Sequence, residues 1–204
     1  MKRATFLLKI AGDRPAAIAA MRELAPLFAE CCEGFLVENF SMWHIEEYIF
    51  GYGECKAENM NCFDNAFAHL PAGVELVCAP GTMRLMYHDI GVVREDKSLI
   101  RHRVFGTRIK PGCEEEYKAR HDALIAQRGD AVKDGPDSDF TIWYGDGCIF
   151  GYCEKVRAYD HEPTEEERAS TIAWETRQLE IMDWMTDDVD WMTGETHAPV
   201  ERVL

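Results

Sequence analysis

The spacing of hydrophobic residues along the first half of the chain alternates between strand and helix periods. Residues 2–10 are rich in β-branched and aromatic side chains, which predicts a strand. After Asp13, a favourable N-cap, apolar residues recur at helical spacing, at Ile18, Met21, Leu24 and Phe28. The pattern then predicts two strands, a second helix and a last strand, at 35–43, 47–54, 57–70 and 83–93.

The second half shows the same order of elements. A strand at 101–109 precedes a helix that begins at an acidic run, Glu114-Glu115-Glu116, where negative charge suits the helix dipole. This helix is predicted to end at Gly129, a residue typical of helix C-termini. Two strands, a second helix and a last strand follow, at 138–144, 147–154, 164–184 and 198–204.

The two halves also share residues at a constant offset. The run IFGYGE at 49–54 returns as IFGYCE at 149–154, and Phe40 and Trp43 correspond to Phe140 and Trp143. The first strands, KRATFLLKI and RHRVFGTRI, align in the same way. Such self-similarity indicates an internal duplication. We therefore divide the chain into a repeat at 1–98 and a repeat at 99–204.

Each repeat reads βαββαβ, which predicts an α+β chain of two fused ferredoxin-like repeats. In that arrangement both helices cover one face of a four-stranded antiparallel sheet, so the other face needs a partner. The second repeat can supply it, which predicts an intrachain pseudo-dimeric α/β barrel. The chain is then expected to be a monomer acting as a pseudo-dimer, or a homo-oligomer.

Charge and composition limit the partners. The net charge is −15 at pH 7, and so acidic a surface disfavours nucleic acid, whereas a neutral small molecule is not repelled. No apolar run is long enough to span a membrane, so we do not expect a membrane to be a partner. The eight scattered cysteines are typical of reduced thiols, and we expect a cytoplasmic protein.

The first helix of the second repeat carries the best candidate chemistry. Tyr117 and His121 lie one turn apart on the stripe that continues through Leu124 and Ile125. An imidazole exchanges protons near neutral pH, and a neighbouring phenol can hold a hydroxylated ligand. The alternative is a core histidine that is hydrogen-bonded to a backbone carbonyl. In the first repeat Ile18 and Arg22 occupy these positions, so we expect that repeat to lack the proton-transfer pair.

The segment EEYKARH at 115–121 and the strand DFTIWYGDG after it resemble the L-rhamnose mutarotase family. WMTDD at 184–188 resembles the end of that family's second helix. The resemblance implies a ferredoxin-like dimeric α/β barrel and an isomerase that interconverts the anomers of a free monosaccharide by general acid/base catalysis. It implies His121 as the catalytic residue and Tyr117 as a substrate contact. The family's strand tyrosine falls on Phe140, and its tandem tryptophans fall near Ile181 and Met182.

Around the sugar we further expect Asp139, Trp143 and Trp184. The chemistry requires neither a metal nor an organic cofactor. Two other functions stay open. The same fold class contains cofactor-independent monooxygenases and other small-molecule enzymes, and a chain with degenerate sites would be a non-catalytic small-molecule-binding protein.

Overall fold

A computed structural model describes residues 2–56, 60–92, 96–129, 137–156, 164–186 and 200–204. The chain divides into two compact units, of which the first comprises 1–84 with 200–204 and the second comprises 85–199. None of the helices in these described ranges is both long and apolar enough to cross a membrane.

The elements follow the predicted order, with additions. The helices are α1 Arg14–Glu23, α2 Ala25–Phe35, α3 Asp64–Phe67, α4 Glu114–Arg128 and α5 Glu165–Gln178. The strands up to residue 91 are β1 Lys2–Arg3, β2 Phe6–Ile10, β3 Val37–Ile45, β4 Tyr48–Cys55, β5 Val74–Cys78 and β6 Arg84–Gly91. The later strands are β7 Ile100–Ile109, β8 Asp137–Gly145, β9 Cys148–Val156, β10 Met182–Thr186 and β11 Glu201–Arg202.

Two antiparallel sheets organise these strands. One has the order β11-β3-β4-β2-β5, with β1 also paired to β4, and the other has the order β10-β7-β9-β8-β6. In each sheet four strands have the ferredoxin-like order, in which the first strand of the repeat lies between its third and its fourth. The prediction of an α+β chain built from two ferredoxin-like repeats is confirmed.

The fifth strand of each sheet corrects the sequence interpretation. The segments at 83–93 and 198–204 were expected to close their own repeats. Instead β6 pairs beside β8, and β11 pairs beside β3 with Glu201 opposite His44. The fourth strands of the repeats are β5 and β10, which the sequence pattern did not predict. Each repeat therefore sends its last strand into the sheet of the other repeat.

Both second helices are shorter than expected. In the described part of 57–70 the helix is a single turn, Asp64–Phe67, and residues 57–59 of that prediction lie outside the described residues. The helix expected at 164–184 begins at a capping box formed by Thr164 and Glu167 but ends at Gln178, after which the chain forms β10. No glycine or proline marks this end, so nothing in the sequence pattern indicated that the predicted helix stops at Gln178. Trp184 consequently lies on a strand.

A close approach of backbone and aromatic ring recurs in both repeats. Gly51 is the cross-strand partner of Phe6, and Gly151 is the partner of Phe105. A Cβ atom at either glycine would overlap the phenylalanine ring. The glycine of the repeated IFGY run is therefore required because the ring of the neighbouring strand lies over it.

Candidate active site

A cavity of about 350 Å³ lies in the second unit between the sheet and the helices α4 and α5. This volume is within the range of about 300–1,000 Å³ that is typical of small-molecule sites. The sheet lines it with Tyr87, Arg103, Phe105, Thr107, Phe140, Ile142, Lys155, Met182 and Trp184. The helices line it with Tyr117, His121, Leu124, Thr171, Trp174, Glu175 and Gln178.

The spacing of these residues follows from the two-residue repeat of a strand and the roughly 3.6-residue repeat of a helix. Residues 103, 105 and 107 alternate along β7, and residues 140 and 142 along β8, so each strand presents one face to the cavity. On α4, residues 117, 121 and 124 fall on one helical stripe, and on α5 the lining residues recur at 171, 174, 175 and 178. The cavity is the incompletely filled space between these facing surfaces.

His121 lies at the centre of an aromatic group. Its ring stacks on Tyr117 with a centroid distance of 4.3 Å, and Trp174 and Tyr87 meet it edge-on at 5.4 Å and 5.3 Å. Its Nδ1 donates to the Tyr117 backbone carbonyl over 2.9 Å, because a carbonyl oxygen can only accept. This hydrogen bond fixes the neutral ring in the tautomer whose Nε2 carries the lone pair.

The surroundings keep both titratable groups neutral near pH 7. Burial lowers the pKa of His121 below its ordinary value, and the hydrogen bond to the Tyr117 carbonyl opposes this effect. Burial raises the pKa of Tyr117, and the nearby Glu175 carboxylate raises it further. The imidazole is therefore a proton acceptor and the phenol a hydrogen-bond donor.

We predict from this shift an activity that persists at mildly acidic pH. A free imidazole loses half of its basic form near pH 6.5, with its ordinary pKa at about that value. The acid limb of the rate should lie below this pH because burial disfavours the charged ring. The check is the pH dependence of turnover between pH 4.5 and 8. An acid limb above pH 6.5 would contradict the assignment of His121 as the catalytic base.

The same shift predicts how stability depends on pH. Well above about pH 6.5 His121 is neutral in both the folded and the unfolded state and contributes no pH dependence. As the pH falls below this value the unfolded chain takes up a proton that the folded chain resists, so the free energy of unfolding decreases until the pKa of the folded state is passed. Denaturant unfolding of the wild type and of His121→Asn at pH 5 and 7 measures this, and the variant should show the smaller pH dependence.

Of the residues expected around a ligand, the structure places His121, Tyr117, Phe140 and Trp184 at the cavity. Trp143 is not among its lining residues, because it points to the opposite face of β8 from Phe140 and Ile142. Asp139 is not among them either. It lies where the pairing register of β8 shifts, has a positive φ of 45°, and its carboxylate lies 3.5 Å from His88 Nε2.

The bulge that contains Asp139 recurs in the first repeat. Asn39 has a φ of 50° and lies where the register of β3 with β4 shifts. Asparagine and aspartate are the non-glycine residues that adopt this left-handed conformation most readily. The offset of 100 between them thus reflects a shared backbone feature, and a ligand contact of Asp139 stays a prediction.

Several cavity residues were not named in the sequence analysis, among them Tyr87, Thr107 and Gln178. Tyr87 is delivered by β6, the strand contributed by the first repeat, and its ring lies 5.3 Å from that of Phe140. Gln178 ends α5, and Thr107 lies opposite Trp184 in the pairing of β7 with β10. The alternation of Arg103, Phe105 and Thr107 on β7 was a signal for Thr107. No local pattern indicates Tyr87, since its position depends on the exchange of strands.

The first unit also has a pocket, of about 440 Å³, but no tyrosine or tryptophan lines it; its lining residues are Arg14, Pro15, Ile18, Arg22, His44 and Glu201. Five phenylalanine rings with centroid distances between 4.9 and 6.4 Å fill the region between its helices and sheet, namely Phe6, Phe28, Phe40, Phe63 and Phe67. Ile18, at the position of Tyr117, is buried in this core. Arg22, at the position of His121, is exposed and forms an ion pair with Glu201.

The chain matches a known protein family over most of its second repeat. The family model for L-rhamnose mutarotase matches residues 102–203. A protein of Burkholderia orbicola (strain MC0-3) described as L-rhamnose mutarotase is 30% identical over 102 residues, which are 49% of this chain and 88% of that protein. A solved structure titled "Crystal structure study of anthrone oxidase-like protein" has a TM-score of 0.45 and 12% identity, covering 99% of this chain and 90% of that one. The family match includes the helix that carries Tyr117 and His121 and spans half of the sequence, and the chain therefore belongs to the L-rhamnose mutarotase family.

Proposed function

We propose that the chain is an isomerase that interconverts the anomers of a free monosaccharide, with His121 as the general acid and base. The observation that carries this proposal is the neutral imidazole, held in one tautomer by the Tyr117 carbonyl, at the wall of a cavity of monosaccharide size. L-rhamnose is the first sugar to test, because the family model and the Burkholderia relative bear its name.

The proton transfers of mutarotation match what this imidazole can do. Nε2 takes the proton of the anomeric hydroxyl, the bond between C1 and the ring oxygen breaks, and the resulting imidazolium delivers the proton to that oxygen. Rotation about C1–C2 exposes the other face of the aldehyde, and the same steps in reverse close the ring. No proton or electron is gained or lost, and burial keeps the imidazole ready to accept again.

The rest of the cavity suits a sugar. Trp174 and Trp184 offer flat apolar surfaces of the kind that pack against the C–H faces of a sugar ring. The Tyr117 phenol can donate to a sugar oxygen, because its raised pKa keeps it protonated. Phe140 lacks a hydroxyl; the Tyr87 ring beside it also lines the cavity, and its hydroxyl donates to Asp89 over 3.4 Å.

Magnetisation-exchange NMR on free sugars tests the proposal directly. The anomers of L-rhamnose give separate proton signals, and a mutarotase increases the rate at which magnetisation passes between them. We expect acceleration with L-rhamnose, or with another sugar of a panel that includes L-fucose and L-mannose. Unchanged exchange for every sugar would reject the function. Binding without acceleration would favour the non-catalytic binding protein.

The two tryptophans of the second repeat should respond differently. Trp184→Leu removes a surface that packs on the sugar and should raise the dissociation constant by up to about tenfold, the worth of a favourable aromatic contact. Trp143→Leu is the matched control, since Trp143 is buried but is not part of the cavity lining. It should lower thermal stability and leave the dissociation constant unchanged. NMR titration with L-rhamnose distinguishes the two, and equal effects would contradict the proposed location of the sugar.

A further inference from the structure

Two polar side chains at the cavity have no hydrogen-bond partner in the part of the chain that the structure describes. Gln178 is 2% exposed and Thr107 is 1% exposed, and both line the cavity. Among the described residues, neither amide atom of Gln178 nor Oγ1 of Thr107 has a hydrogen-bond partner. Buried amides and hydroxyls are nearly always hydrogen-bonded, because an unsatisfied polar atom costs free energy. These atoms therefore call for a partner that enters the cavity.

The backbone holds both residues in place. Gln178 is the last residue of α5, and its carbonyl accepts from Ile181 N over 2.9 Å in the turn that leads into β10. Thr107 lies on β7 directly opposite Trp184 of β10. Gln178 is thus fixed by the end of α5 and Thr107 by the pairing of β7 with β10, and neither belongs to a loop. Such support from regular elements is what a recognition site needs.

We propose that Gln178 and Thr107 recognise the hydroxyl groups of the ligand and so select among monosaccharides. This inference rests on the proposed function for the class of ligand. A carboxamide offers an acceptor and two donors, and a threonine hydroxyl both donates and accepts. Sugar hydroxyls have the same dual character, so the pair can satisfy neighbouring hydroxyls without any charge on the ligand.

Gln178 and Thr107 are positioning residues. Neither can take up a proton near neutral pH, so the proton transfer remains with His121. Their loss should therefore weaken binding and raise KM while kcat stays close to that of the wild type. This split differs from the loss of kcat expected when the imidazole is replaced.

The experiment is a matrix of binding measurements. L-rhamnose and its 2-, 3- and 4-deoxy analogues are titrated by NMR into the wild type, Gln178→Leu and Thr107→Val. Gln127→Leu is the matched control, because Gln127 is exposed on α4 and lies outside the cavity. Gln178→Leu should bind L-rhamnose roughly 10- to 100-fold more weakly, as expected when buried hydrogen bonds to a ligand are lost.

The decisive result is a coupling between protein and ligand. The hydroxyl whose removal weakens binding most in the wild type should matter little in Gln178→Leu or in Thr107→Val, because the partner is already absent. A full deoxy penalty that persists in both variants, a variant affinity equal to that of Gln127→Leu, or no binding of any of these sugars would overturn the inference. Normal discrimination in binding without accelerated exchange would reject the proposed function and support the inference.

Thermal unfolding gives a second arm that does not depend on the sugar. An unpartnered buried amide destabilises the empty protein, so Gln178→Leu should keep the wild-type Tm or raise it by about 2–4 °C. A Tm that falls by several degrees would show that the side chain is a structural element, and it would overturn the inference.

Discussion

Replacing His121 by asparagine should lower the rate of anomer exchange by about 10²–10⁴-fold, the usual contribution of a positioned general acid or base. Asparagine retains a polar planar group but cannot accept a proton near neutral pH. Tyr117 and the rest of the cavity stay in place, so the variant should still bind sugar. Magnetisation-exchange NMR at saturating sugar measures the rate, and chemical-shift titration on the same samples measures binding.

His69 supplies a matched control for this variant. Its Nδ1 also bonds the carbonyl four residues earlier, that of Asn65, over 2.8 Å, but the ring is exposed on the surface of the first unit. His69→Asn thus removes the same kind of hydrogen bond without altering the cavity, and its exchange rate should equal that of the wild type. An exchange rate retained in His121→Asn, with binding intact, would show that another group transfers the proton.

The second large effect concerns Gly151, which is not among the cavity-lining residues. Gly151→Ala should lower the free energy of unfolding by about 1–3 kcal/mol, the usual cost of forcing an extra methyl group into a packed core. The new Cβ would overlap the ring of Phe105, which is itself a wall of the cavity. Displacement of this ring should also weaken sugar binding. Denaturant unfolding measures the first effect and NMR titration the second.

Gly34 is the control for the glycine substitution. It lies inside α2, and a Cβ atom there meets no other atom within 4 Å. Gly34→Ala should raise stability by roughly 0.5–1 kcal/mol, because alanine is the better helix former. If Gly151→Ala were as stable as the wild type, the close approach of the Phe105 ring would not be the reason for glycine in the repeated IFGY run.

Much of the architecture could be predicted from the chain because local signals agree with one another. Asp13 caps α1, Thr164 and Glu167 form the capping box of α5, and the repeated IFGY run marks the same strand in each sheet. The family assignment drawn from EEYKARH is likewise confirmed. The stripe of Tyr117 and His121 on one face of α4 follows from helical period alone.

What sequence reasoning missed depends on pairing between distant segments. The strands β5 and β10 are five residues each. No glycine or proline separates β10 from α5, whereas Gly73 and Pro80 do flank β5 and were a signal that the sequence analysis did not use. The placement of β6 in the second sheet cannot be read from residues 84–91, because hydrophobic alternation does not say which edge a strand joins. Tyr87 was missed with it. Gln178 was missed because a polar residue at a helix end is usually exposed.

The two repeats also differ in what fills the region between their helices and their sheet. In the first unit this region holds closely packed phenylalanine rings, including Phe28 and Phe63, whose centroids lie 5.6 Å apart. Ile18 extends this apolar core where Tyr117 stands in the other repeat. The region between helices and sheet is therefore an apolar core in the first repeat, whereas in the second repeat it holds polar groups that such a core would exclude.

The most direct test of the account is the nitrogen NMR spectrum of the His121 side chain, recorded with and without L-rhamnose. We expect the neutral tautomer with its proton on Nδ1 near pH 7, bonded to the Tyr117 carbonyl, and a shift of the Nε2 resonance when sugar is added. A proton on Nε2, or an Nε2 resonance that no sugar of the panel perturbs, would contradict the assignment of this imidazole as the base that faces the ligand.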